Sequence, residues 1–294
     1  MSRVSWEKGF ARGGANPKSL LLLPTRCKHV LAAGNPASRD SNGTISMCPV
    51  WHKGLANCMD KSDDLRTPIL PGPGASDYER YLRTDELLAL QKKPEELLQK
   101  DELTFQVVHQ ASELLMKGAA FELERALAHV VEGDFLNAAR LIRRANSQLE
   151  HPIGLLHVLE TITPYDYQII RRGLGHGSGL DSPGFLSLLH IGPRLGQAFD
   201  HQLQNAHLTV DDLYCRHAEF FGLHDVAERM LDFDERMHLF RFHHLKLAQR
   251  IIGGGVVGTM GTPVEVLHQR MEHLFYKELW DVRNRITARS SDRP

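Results

Sequence analysis

From Tyr78 to about residue 287, apolar side chains recur every three or four positions, and nowhere do they alternate in the period of two that a half-buried strand requires. That rhythm commits this stretch to helices. Leu82, Leu87, Leu88 and Leu90 surround the cap-type run Thr84-Asp85-Glu86. Phe105, Val108, Leu114, Leu115 and Ala119 carry the pattern on toward Val131, and Gly133 stops it. A second long helix is expected from about Phe135 to Ile162, closed by Thr163-Pro164. A short one over 165–174 then leads into the glycine-rich run 173–179. Further helices are expected over 184–204, 209–221, 224–252 and 263–287. The fold class predicted is all-α, a helical bundle.

Residues 1–76 break the rhythm. They hold seven of the 14 prolines, and three of the four cysteines (Cys27, Cys48, Cys58). Pro71-Gly72-Pro73-Gly74 closes the segment as a linker would. The first 39 residues carry one acid, Glu7, among several Arg and Lys, but lack the apolar region of a targeting peptide. A poorly ordered, Pro/Gly-rich extension over 1–76 is therefore expected, followed by a helical domain over 77–294.

Composition removes several function classes. Thirty-five basic residues against 36 acidic ones argue against a nucleic-acid partner. No apolar run approaches bilayer length, since Leu20 to Leu23 ends at Pro24, so no membrane partner is expected and the cytoplasm is the expected location. Four cysteines without a Cys-x-x-Cys pair suit neither a disulfide scaffold nor a zinc module.

Three patterns could carry chemistry. His243 and His244 are adjacent in Phe240-Arg241-Phe242-His243-His244, so on a helix they diverge by about 100° and cannot chelate one metal together. At most one faces inward, where it serves either as an axial haem ligand or as a core histidine. Phe105, His109 and Glu113 lie at successive i, i+4 positions and share one helical face. Tyr167 and Arg171 repeat that spacing, a pairing that suits a carboxylate beside an apolar slot or an ordinary packing contact. The glycine loop after Arg250-Ile251-Ile252 follows its helix, whereas a phosphate cradle must precede one.

Taken in order, several segments resemble the tryptophan 2,3-dioxygenase superfamily of histidine-ligated haem proteins. They are Tyr78-Glu79-Arg80-Tyr81-Leu82 with 85–88, Asp101-Glu102 through 105–114, 161–171, Ser178-Gly179-Leu180-Asp181-Ser182, 240–244, Gly258-Thr259-Met260-Gly261 and Glu278-Leu279-Trp280-Asp281-Val282-Arg283. The resemblance spans 78–287 and leaves residues 1–76 outside. It implies haem b as cofactor, with His244 as the axial iron ligand and His109 as the catalytic histidine facing the substrate ring. Phe105 would form the aromatic wall, with Arg171 holding the substrate carboxylate and Tyr167 beside it. Thr259 would contact the amino-acid end, and Ser178 and Gly179 would form the turn beside haem and substrate. Tyr78, Tyr81 and Leu82 match residues that reach into a neighbouring subunit's site, which implies a homo-oligomer, a dimer or tetramer. His243 stands where the family has an arginine, and one residue is inserted before Gly258.

The resemblance also bears on the reaction. Only 61 residues separate Ser182 from His244, fewer than in the tryptophan dioxygenases. Asp181 replaces a glutamine, and Leu115 and Phe240 replace tryptophans. This short form looks like the L-tyrosine 3-hydroxylases of antibiotic and other secondary-metabolite pathways, with L-DOPA as product and an aromatic L-amino acid plus O2 or hydrogen peroxide as reactants. The alternative is tryptophan 2,3-dioxygenation, L-tryptophan to N-formylkynurenine, or a related indole monooxygenation. A second alternative is a non-catalytic haem-binding helical protein.

Overall fold

The computed structural model describes residues 37–39, 45–47, 67–255 and 273–291, and divides the chain into two compact units, Met1–Leu87 and Leu88–Pro294. In the first unit, β1 (Ala37–Arg39) pairs antiparallel with β2 (Ile45–Met47), Ser38 opposite Ser46. Hydrophobic periodicity does not register this pair because each strand is only three residues long; Asn42-Gly43 between them is the one hairpin signal.

Helix α1 (Asp77–Leu82) opens on a reciprocal cap, in which Ser76 Oγ accepts the Glu79 N–H and Glu79 returns a carboxylate to the Ser76 N–H. The proline–glycine run before it folds back on the helix. Arg80 Nε donates to the Gly74 carbonyl at 2.7 Å, and a Cβ on Gly74 would lie 2.7 Å from Glu79 Cβ. Arg83, at φ 54°, ends α1, and α2 (Thr84–Leu88) follows. The unit boundary thus falls at Leu87–Leu88, beyond the expected residue 76.

The second unit is helical: α3 (Glu102–Glu132), α4 (Phe135–Leu159), α5 (Pro164–Arg172), α6 (Pro183–Asn205), α7 (Val210–Cys215), α8 (Phe221–Ile251) and α9 (Lys277–Ser291). Gly133, at φ 79°, turns α3 into α4, and the Asp134 carboxylate caps the new helix. Thr163-Pro164 opens α5 and Ser182-Pro183 opens α6, each with a hydroxyl accepting an N–H of the first turn. Helix α3 packs on α4 and α6, and α4 packs on α8.

Two apolar clusters result. The larger joins Leu123, Leu141, Leu195, Phe199 and Phe233 from α3, α4, α6 and α8; the smaller joins Val108, Leu156, Leu159, Ile170, Leu247 and Ile251. Phe240 of α8 packs against both.

Two expected helices differ from the periodicity within the described residues. Helix α7 ends at Cys215 instead of near 221: Arg216 leaves helical geometry at φ −113°, and its side chain pairs with Glu219 and lies over the Phe220 ring. Of the helix expected over 263–287, residues 263–272 lie outside the described residues, 273–276 are not helical, and α9 runs from Lys277 to Ser291. Asp234, fully buried on α8, takes the N–H groups of Phe275 and Tyr276 and the indole N–H of Trp280. A distant carboxylate therefore caps this helix, and no local residue announces its start.

Candidate active site

Helix α3 carries Phe105, His109 and Glu113 on one face. His109 Nδ1 lies 2.7 Å from the Phe105 carbonyl oxygen. A carbonyl only accepts, so this contact puts the proton on Nδ1 and leaves Nε2 with its lone pair. His109 keeps an exposed edge toward the cavities it lines. Burial holds its pKa below the usual imidazole value, against the opposing pull of the Phe105 carbonyl and Glu113. The Phe105 ring stands 4.1 Å from His109 and 6.1 Å from Tyr167 on α5.

Of the two adjacent histidines, His244 is the inward one. Its ring stacks on Phe240 at 6.2 Å, whereas His243 meets His157 edge-on at 5.1 Å and stays off the cavity walls. Burial, and then the nearness of His109, draws His244 down to about 4, so its imidazole is neutral at ordinary pH and offers a lone pair. The turn before α6 closes against it: a Cβ on Gly179 would lie 3.1 Å from His244 Nε2. That turn is tight, with Ser178 Oγ accepting the Leu180 N–H and Asp181 returning a carboxylate to the Ser178 N–H.

Two cavities, of about 440 and 530 Å³, meet along His109, Glu113, Gly179 and His244. Phe105, His109, Tyr167, Ser178, Gly179 and His244 line the first together. Arg171 does not line it. It is half-buried one turn past Tyr167, and its charge opposes the rise that burial imposes on the Tyr167 phenol. Tyr78, Tyr81 and Leu82 lie in the other unit, exposed on α1. Thr259 lies outside the described residues.

Three contributors are not among the site residues expected from the sequence. Glu113 lines both cavities, and Ser182 and Gly184 donate to its carboxylate. Arg241 lines the second cavity; its Nη1 donates to the His273 carbonyl at 2.7 Å, and its Nη2 is buried without a hydrogen-bond partner among the described residues. Both are signalled only by spacing, four residues after His109 and three before His244. The aliphatic wall of Leu156, Leu159, Leu247 and Ile251 is legible in the sequence only as core.

A neutral, half-buried imidazole stands at the junction of two largely apolar cavities, with a guanidinium N–H that has no hydrogen-bond partner among the described residues in the second. These residues fit a haem, whose iron would take the imidazole and whose carboxylate edge would meet the cation. Among the described residues no group of three or more His, Cys, Asp or Glu side chains is arranged for a metal ion, so His244 would act as a single protein ligand. None of the described helices is long and apolar enough to cross a membrane.

Fold and site thus define an all-α protein with two adjoining cavities walled by His109 and His244. Residues 71–206 match the tryptophan 2,3-dioxygenase family. The tryptophan 2,3-dioxygenase of Shewanella woodyi is 25% identical over 82% of this chain and all of its own length. That of Bacillus thuringiensis is 26% identical over 71% of this chain and 92% of its own, and that of Xanthomonas campestris 28% over 78% and 93%. The chain is thus similar to the tryptophan 2,3-dioxygenases over most of its length, a likeness that supports a haem-dependent oxidoreductase. The relatives' name favours the alternative drawn from the sequence, tryptophan dioxygenation, over tyrosine 3-hydroxylation.

Proposed function

We propose that this chain oxidises the aromatic ring of L-tryptophan with O2, giving N-formylkynurenine. The observation that carries the reading is the placement of His109, with Phe105 and Tyr167, on the wall of the cavity that His244 enters. Bound haem would supply the O2 chemistry at its iron, held by His244. His109, neutral and with Nε2 free to accept, suits an indole N–H; Phe105 and Tyr167 suit the ring's faces. Arg171, beside Tyr167, suits the substrate carboxylate, with Thr259 at its amino-acid end and Ser178 and Gly179 beside the haem. The aliphatic wall keeps water from the reacting ring. Exposed Tyr78, Tyr81 and Leu82 support a homo-oligomer whose subunits complete one another's sites. The family match begins at residue 71, which supports reading most of 1–76 as an extension outside the oxygenase domain.

A second reading, L-tyrosine 3-hydroxylation, draws on the short 182–244 segment and on Asp181 in the cavity wall. The test is to load the protein with one equivalent of haem and supply each amino acid with O2 and, separately, hydrogen peroxide. A Soret shift with L-tryptophan and formation of N-formylkynurenine support the proposal. L-DOPA from L-tyrosine, with L-tryptophan untouched, would overturn it in favour of the second reading. Arg171→Ala should cost roughly 2–4 kcal/mol in kcat/KM, because a desolvated carboxylate loses its charged partner.

A further inference from the structure

Glu113 sits one helical turn beyond His109, and both its oxygens are engaged by a distant part of the chain. One accepts from the Ser182 hydroxyl, and the other from the Gly184 N–H at 2.8 Å. Gly184 lies in the first turn of α6, where backbone N–H groups have no intrahelical acceptor. Ser182 is the N-cap of the same helix, its Oγ accepting the Phe185 N–H at 3.1 Å. A carboxylate on α3 therefore completes the cap of α6. The approach is close: a Cβ on Gly184 would lie 2.7 Å from Glu113 Oε2 and 2.8 Å from Met116 Cβ.

What precedes Ser182 gives this cap a second consequence. Residues 178–181 form the tight turn closed by Ser178 and Asp181, and Gly179 within it abuts His244. A turn so short has little freedom of its own. Where Ser182 is held decides where Gly179 stands.

We propose that Glu113 is a positioning residue that ties the 178–184 turn to the helix bearing His109, and so sets the gap between Gly179, His109 and His244 that grips the haem. The proposal rests on the reading of His244 as the haem ligand. Glu113 acts through the turn it anchors. Its hydrogen bonds to a hydroxyl and a helix N-terminus are of the strong, charge-assisted kind.

The test titrates full-length apoprotein with hemin in Glu113→Ala, Glu113→Gln, Ser182→Ala and His244→Ala, and follows exchange of the Gly184 amide. Glu113→Ala should speed Gly184 exchange and weaken hemin binding about 10- to 100-fold, with an altered Soret band. Glu113→Gln, which keeps an acceptor oxygen and similar volume, should recover most of the affinity. Ser182→Ala removes one of the two ties without disturbing Glu113 itself, and carries the test if Glu113→Ala does not fold. Hemin affinity and Soret position matching the parent in either Ala variant, with His244→Ala impaired, would overturn the proposal alone. Parental hemin binding by His244→Ala would instead remove the haem-ligand reading beneath it.

Discussion

Gly179 and His244 come from segments 65 positions apart and meet so closely that a Cβ on the glycine would lie 3.1 Å from the imidazole Nε2. No left-handed backbone is involved here, so the demand for glycine is one of space alone. Gly179→Ala should fold with a stability within about 1 kcal/mol of the parent, since a small shift of either partner relieves the contact. Its hemin affinity should fall, and Gly179→Val should bind less still. Parental affinity in Gly179→Val would show that the turn yields freely.

Arg241 sets folding against cofactor retention. Burial lowers the pKa of its guanidinium against the pull of Asp234, Nη2 has no hydrogen-bond partner among the described residues, Nη1 donates to the His273 carbonyl, and the group lies over the Phe275 ring. Burying an unpaired donor is costly, so removing it should barely disturb the apoprotein. Arg241→Gln should change urea-unfolding stability by less than about 1 kcal/mol, yet weaken hemin binding about tenfold as the anionic edge loses its cation. A large loss of apoprotein stability would mark Arg241 as structural.

The stability of the apoprotein should depend on His109. Burial depresses its folded-state pKa below the unfolded value of 6.5. Above that value both states are neutral and the group has no effect; as pH falls below it, the unfolded chain takes up the proton first and stability declines. His109→Gln should therefore flatten the urea-unfolding midpoint between pH 7 and pH 5. An unchanged slope would show that the ring protonates freely in the fold.

Asp234 should be a stability residue. It is fully buried, and three backbone or indole N–H groups converge on it. Asp234→Ala strands those donors and should cost on the order of 3 kcal/mol or more in urea unfolding. Asp234→Asn, keeping one acceptor oxygen, should cost less. Because His273 and Phe275 line the second cavity, hemin affinity should fall alongside.

What the sequence makes legible follows from the range of each interaction. Phe105, His109 and Glu113 can be placed on one face from their spacing alone, because helical geometry fixes the relation of residues four apart. Likewise Gly133, Thr163-Pro164 and Ser182-Pro183 mark helix ends through their own backbones and hydroxyls. The choice of His244 over its neighbour needs more: adjacency says only that the two diverge, and the packing of Phe240 and Gly179 decides which turns inward.

The amino-acid sequence by itself determined most of the helices and which side chains share a face, since these depend on bonds between near neighbours. Tertiary structure alone decided that Glu113 caps α6, that Asp234 starts α9 and that Arg241 reaches the His273 carbonyl. Those outcomes depend on groups 32 to 71 residues apart, and no local period records which distant donor a buried carboxylate will meet.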